Sequence, residues 1–243
     1  WSPTTGEKML RFVLRSKEAL DRIRIGLPEL KNFSVVTVNL QPVPHAILEG
    51  EEEIVLSNHS FIAHRTSGPQ LNFHPRGFMQ TNSTVAGGLY ATALEWAGPW
   101  AGSRALDLYC GVGGFALHLA MNGFEVLGVE RSPEAIEMAK VAAVGNRVKA
   151  SFIATDAESI KELWQKHDPT LVVVNPPRRG LGETVELILE LRPKVLIYSS
   201  CDLDSLAKDF FKLKTRYNAS RSKIFDMFPH TNHFESLTLM VLR

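Results

Sequence analysis

The 243-residue sequence is 44% hydrophobic and 22% charged with a mean hydropathy of −0.04, a balance that excludes intrinsic disorder. No apolar run approaches the roughly 18 residues of a membrane span, so no membrane partner is expected, and 27 Lys and Arg against 26 Asp and Glu leave a net charge of +1. A charge that small gives no whole-chain basic field, and any nucleic-acid contact must be local. Two cysteines, Cys110 and Cys201, are too few for a disulfide framework or a four-cysteine metal cluster. They point to a cytoplasmic protein with free thiols. The chain opens at Trp1 directly in structured sequence without the regions of a signal peptide, and it is expected to be a fragment lacking an N-terminal part.

From Met9 to about Phe73 the pattern is β-like. Met9–Leu14 alternates, Val35–Leu40 is β-branched, and residues 51–56 resume after Glu49-Gly50. A helix is expected between the first two strands, from Ser16 to about Ile25, ended by Gly26 and Pro28. After Asn82, a capping residue, Val85, Leu89, Ala93 and Trp96 fall at helical spacing until Gly98-Pro99.

Beyond Ala105 the sequence becomes strands alternating with helices, with apolar strands at 105–109, 125–129, 149–153, 171–174 and 195–198. Near-continuous apolar strands separated by helices imply a parallel sheet covered on both faces. Ser132 and Pro133 mark a helix start. Strands at 222–228 and 236–242 flank a polar loop and are expected to end the sheet as a hairpin. The expected division is a small α+β segment over residues 1–76 and a catalytic unit over residues 77–243.

Four places carry chemistry. The first strand of the sheet runs into Cys110-Gly111-Val112-Gly113-Gly114, where a doubly wound sheet binds its ligand. Glu130 ends the second strand 23 residues after Asp107, near the spacing at which an acidic side chain takes a ribose diol. The loop lacks the third glycine of a pyrophosphate site, which favours S-adenosyl-L-methionine over a dinucleotide. Asp156, after the third strand, is either adenine-facing or a helix cap.

Asn175-Pro176-Pro177-Arg178 is a rigid turn that presents an amide at a strand terminus. Cys201 stands at the end of a strand and the start of a helix, where orphan N–H groups and the helix dipole lower a thiol's pKa. That is a nucleophile's setting, whereas Cys110 is expected to pack. In the loop Phe228–Glu235, Glu235 reads as a general base rather than as a metal ligand with His230 and His233. Lys212, Lys214, Arg216, Arg221 and Lys223 form a basic cluster that either meets phosphates or is a solvated face.

In order along the chain, residues 78–82 around Gln80, Asp107-Leu-Tyr-Cys-Gly-Val-Gly-Gly114, Asn175-Pro-Pro-Arg-Arg-Gly180, Ser199-Ser-Cys201 and residues 228–235 resemble the S-adenosylmethionine-dependent RNA uracil-5-methyltransferases. Asn175 in place of the usual Asp, and the run Phe225-Asp-Met-Phe-Pro-His-Thr, are similar to the bacterial 23S rRNA branch of that family. The resemblance implies an α/β fold, that of a class I methyltransferase with a Rossmann-like, mostly parallel sheet preceded by the small α+β segment. It implies Gln80, Tyr109, Glu130 and Asn175 as contacts of S-adenosyl-L-methionine, Cys201 as nucleophile and Glu235 as base, with no metal. It also implies RNA as the partner of a monomer, and an iron–sulfur cluster only in a missing N-terminal segment. One departure is Asp202, where the family has Asn, which keeps helix capping but adds a negative charge beside the thiol. The alternatives are a tRNA uracil-5-methyltransferase of the same family, a nucleotide-cofactor oxidoreductase and a non-catalytic RNA-binding protein.

Overall fold

In the computed structural model, residues 1–43, 49–80 and 82–243 are described, so Thr81 of the Gln80 segment lies outside. The first strand, β1 (Met9–Leu14), pairs in parallel with β2 (Val35–Leu40) across the crossover helix α1 (Leu20–Gly26), and β3 (Glu52–Val55) adds antiparallel to β2. The helix expected from Ser16 divides in two. Ser16 caps a 3₁₀ turn over residues 17–19, and α1 then continues to Gly26, because the single cap serves only the short first turn. Leu20, Val38 and Leu40 form a small core of their own in this segment.

A short hairpin, β4 (Ile62–Arg65) with β5 (Gln70–Phe73), follows. Directly opposed residues of an antiparallel pair share a face, so Ile62 with Phe73 and His64 with Leu71 lie together. Ile62, Leu71 and Phe73 join the main core beside Leu89 and Phe115, so apolar packing runs across the expected division at residue 76. Asn146 completes the hairpin edge: its side-chain carbonyl accepts from the Gln70 N–H at 2.9 Å and its Nδ2 donates to the Gln70 carbonyl at 2.7 Å.

Helix α2 (Ser83–Ala97) starts at Asn82, whose side chain accepts from the Val85 N–H. The remaining elements are β6 (Arg104–Leu108), α3 (Gly114–Met121), β7 (Glu125–Glu130), α4 (Pro133–Asn146), β8 (Ala150–Ala154), α5 (Lys161–His167), β9 (Leu171–Val174), α6 (Thr184–Leu191), β10 (Val195–Ser200), α7 (Leu203–Leu213), β11 (Tyr217–Phe225) and β12 (Glu235–Leu242). Seven strands form one sheet in the order β11-β12-β10-β9-β6-β7-β8, parallel from β10 to β8, with β12 antiparallel to both β10 and β11. Alternation along β6, β9 and β10 sends Ala105, Val173 and Ile197 to one apolar layer and Leu106, Val172 and Leu196 to the other, which is why these strands read as continuous apolar runs. From β6 the chain winds outward through β7 and β8, then returns to the other side of β6 as β9. That reversal opens a crevice at the carboxyl ends of β6 and β9.

Candidate active site

A cleft of about 600 Å³ opens at that reversal, and its lining includes Gln80, Tyr109, Glu130, Asn175, Cys201 and Glu235. The six residues singled out in the sequence therefore converge on one cavity, although they come from six separate segments.

The glycine loop is shaped by backbone conformation. Tyr109, Gly111 and Gly113 all have positive φ, at 60°, 53° and 88°. For tyrosine this left-handed conformation is uncommon and is found chiefly where the surroundings enforce it. Here the Tyr109 hydroxyl lies 2.8 Å from Thr184 Oγ1 on α6, which anchors the ring at the cleft wall. Close packing fixes the glycines beyond: a methyl group on Gly114 would stand 2.5 Å from the Tyr90 hydroxyl oxygen, and one on Gly128 would stand 2.4 Å from the Phe152 ring and 3.0 Å from Cys110 Sγ. Cys110 is thus a buried packing residue, and burial pushes its thiol well above the ordinary range.

Glu130 is held as an acceptor for the loop itself. Its Oε2 accepts from the Gly111 N–H at 3.2 Å, and its Oε1 accepts from the N–H groups of Arg131 and Ser132 at 2.8 and 3.0 Å. The carboxylate is therefore fixed in direction at the edge of the cleft. Asp156 does not cap a helix through its side chain but lies 3.6 Å from Arg131 at the cleft wall. Gln80 faces the cleft with its buried Oε1 unpartnered, and Asn175 continues β9 as its N–H donates to the Leu108 carbonyl at 3.3 Å.

Cys201 and Glu235 are brought together by strand register. Antiparallel pairing of β10 and β12 ends at Ser200 opposite Ser236, and Cys201 and Glu235 are the next residues on either side. Asp202 then begins α7, its Oδ1 accepting from the Ser205 N–H at 2.8 Å. The expected depression of the Cys201 thiol does not occur. Its pKa is raised, first by burial and then by the Glu235 carboxylate, while the Arg178 charge and a hydrogen bond from Arg178 pull the other way. Desolvation and a like-signed neighbour outweigh the helix terminus here.

Glu235 is itself nearly buried, and burial raises its carboxyl to about 7, with the neighbouring Ser199 hydroxyl acting to lower it. Asp107, fully buried beneath the glycine loop, is raised to about 8 by burial and by Glu130, although its Oδ2 accepts from the Ala116 N–H at 2.8 Å. Sequence reasoning passed over two groups in this wall. Arg178 reads in the sequence only as the end of the rigid turn, and Tyr90 sits on an apolar helix face, where its ring stacks on His118 at 4.6 Å.

His230 and His233 are not in the cleft lining, and among the described residues no group of three His, Cys, Asp or Glu side chains could hold a metal ion. The basic cluster is partly paired on the surface, Lys212 with Glu186 and Arg221 with Glu95. Among the described residues no helix is long and apolar enough to cross a membrane.

The sheet order, the cleft at its reversal and the loop after β6 define a Rossmann-like α/β fold of the class I methyltransferase type. The tRNA (uracil-54, C5)-methyltransferase of Pyrococcus abyssi, solved with S-adenosyl-L-homocysteine, superposes with a TM-score of 0.81 at 31% identity over 99% of this chain and 58% of that one. Trm5b of the same organism shares the fold, with a TM-score of 0.65 at 16% identity, covering 97% of this chain and 73% of that one. The profile of the tRNA (Uracil-5-)-methyltransferase family matches residues 65–243, and the chain belongs to that family. Among curated relatives, the 23S rRNA (uracil(747)-C(5))-methyltransferase RlmC of Proteus mirabilis is 45% identical over 97% of this chain and 63% of its own length. The RlmC of Cronobacter sakazakii is 44% identical over 99% of this chain and 65% of its own length. The chain thus spans just under two thirds of the curated relatives it matches.

Proposed function

We propose that this chain carries the catalytic unit of a 23S rRNA uracil-5-methyltransferase that moves a methyl group from S-adenosyl-L-methionine to carbon 5 of a uridine, acting as a monomer. The observation that carries this reading is the placement of Cys201 and Glu235 one step beyond the Ser200–Ser236 pair, in the wall of the cleft. The relatives named for 23S rRNA support rRNA over tRNA as substrate.

The cavity suits the cofactor. The orphaned Gln80 Oε1 is an acceptor without a partner, the open space beside Gly111 leaves the backbone approachable there, and the fixed Glu130 carboxylate can accept from a ribose diol. Gln80, Tyr109, Glu130 and Asn175 would hold S-adenosyl-L-methionine, which supplies an electrophilic methyl group when bound.

Carbon 5 of uracil is too weak a nucleophile to accept a methyl group unaided. Cys201, once deprotonated, attacks carbon 6 and forms a carbon–sulfur bond, and the electron pair displaced through the 5,6 double bond makes carbon 5 electron-rich. After carbon 5 has gained its methyl group, Glu235 removes the proton left there, the 5,6 double bond re-forms and the Cys201 thiolate leaves. Arg178 favours the thiolate at the first step. The target must leave any base stack to reach this pocket. The test is covalent capture. With RNA carrying 5-fluorouridine, carbon 5 has no proton for Glu235 to remove, so a stable protein–RNA adduct is expected, and its absence would reject the reading.

A further inference from the structure

We propose that Ser199 is a positioning residue for Glu235, donating its hydroxyl hydrogen to the inner carboxylate oxygen and setting the pH at which that carboxylate is ionised. This inference rests in part on the role given to Glu235 above, but its geometry does not. Ser199 is directly opposite Leu237 in the β10–β12 ladder. Directly opposed residues share a face and alternate residues return to it, so Ser199 and Glu235 point into the same layer as Ile197, Leu237 and Leu239.

Both side chains are buried there, Ser199 at 0% and Glu235 at 4% exposure. Ser199 Oγ and Glu235 Oε2 are each cut off from solvent, and neither has a hydrogen-bond partner. One is a donor and the other an acceptor, and leaving both unmade is costly in a buried layer. A serine rotamer that aims the hydroxyl at Oε2 would satisfy both, while the residual exposure of Glu235 lies toward the cleft that it lines.

The other titratable groups around Glu235 cannot take this role. Cys201, just past the end of β10, and Tyr90 on α2 both feel its charge. The thiol is committed to the substrate in the proposed reaction, and a methyl group on Gly114 would lie 2.5 Å from the Tyr90 hydroxyl oxygen, so that hydroxyl is packed against the glycine loop. Asp107 on β6 is held by the Ala116 N–H beneath the glycine loop, and the charges that it acts on are those of Tyr90 and Glu130. On β11, Lys223 reaches Thr92 Oγ1 at 3.3 Å.

The test is direct titration of Glu235 in the full chain, read as the infrared carboxyl band present in the parent and absent in Glu235→Gln, repeated in the Ser199→Ala background. Alanine is a conservative replacement at this site, and a melting curve verifies folding. Removing a donor that favours the ionised form should raise the midpoint by about one pH unit. It should also slow turnover, through proton removal from carbon 5, roughly tenfold near pH 6.5, with little change near pH 9 and an unaltered yield of the 5-fluorouridine adduct. An unchanged infrared midpoint in Ser199→Ala would overturn the proposal. Absence of any adduct in the parent protein would instead reject the catalytic reading and leave the titration result standing.

Discussion

Cys201 and Glu235 face each other immediately beyond the last rung of the β10–β12 ladder, Ser200 opposite Ser236. The antiparallel strand β12 therefore does more than close the sheet. It delivers a carboxylate from the C-terminal end of the chain to a thiol at the N-terminus of α7, and the register fixes their separation. Burial raises the Cys201 pKa and the nearby Glu235 carboxylate raises it further, so the same pairing that assembles the site adds to the thiolate's dependence on Arg178.

Glu235, with its carboxyl raised to about 7, must be ionised to take a proton. Turnover should therefore fall as pH drops through 7, and the Glu235→Gln variant should stall after methyl transfer, holding a covalent RNA adduct that is not released. Adduct lifetime measured on denaturing gels across pH 6–9 checks this. Rapid turnover by Glu235→Gln would contradict the assignment.

Arg178→Ala should slow adduct formation about tenfold or more near neutral pH, because burial and Glu235 then oppose the thiolate alone. The effect should shrink as pH rises toward the thiol pKa, since the guanidinium acts by favouring ionisation. A pH-independent loss would assign Arg178 to substrate binding instead.

How far the sequence itself revealed this site depends on which interactions are local. Strands β1, β2 and β9 have the ends that periodicity alone predicted, and Ser132 caps α4 as its position before Pro133 implies. Strand β11 begins at Tyr217 rather than at residue 222, because Asn218–Lys223 is an exposed polar edge whose extended form comes from pairing with β12. The β4–β5 hairpin was only a β-like stretch in the sequence: each strand has four residues, and buried His64 and Asn72 break the apolar alternation. The helix N-terminus at Cys201 was legible, but the burial and the Glu235 contact that reverse its effect arise from a strand that follows more than thirty residues later.

Asp202→Asn should keep α7 capped, because either side chain can accept from the Ser205 N–H. Removing the negative charge should speed adduct formation only by roughly two- to threefold, since Asp202 is solvated and screened. Adduct kinetics at low and at high salt check this, with the gain shrinking at high salt.

Asp107 has a folded-state carboxyl raised to about 8, against an ordinary value of 3.8. A raised pKa means that the stability is fully present below the unfolded value and is lost as pH rises toward the folded one. The parent should lose stability between pH 4 and 8 relative to Asp107→Asn, by several kcal/mol across the interval. Denaturant melts at the two pH values measure the difference, and parallel curves would show that Asp107 is not buried as a neutral acid.

Gly128→Ala should destabilise the fold by about 1–3 kcal/mol, because the added methyl group meets the Phe152 ring at 2.4 Å and Cys110 Sγ at 3.0 Å. Gly128→Ala combined with Cys110→Ala should recover only part of that loss, as the ring contact remains. Thermal melting of the two variants provides the comparison.

The most direct test of the catalytic pair is mass-spectrometric mapping of the adduct between the full chain and a 23S rRNA transcript containing 5-fluorouridine, with S-adenosyl-L-methionine present. The expected result is one uridine derivative bonded to the peptide holding Cys201, absent in Cys201→Ala. A bond to any other residue, or an adduct that persists in Cys201→Ala, would contradict the pairing of thiol and carboxylate on which the site is built.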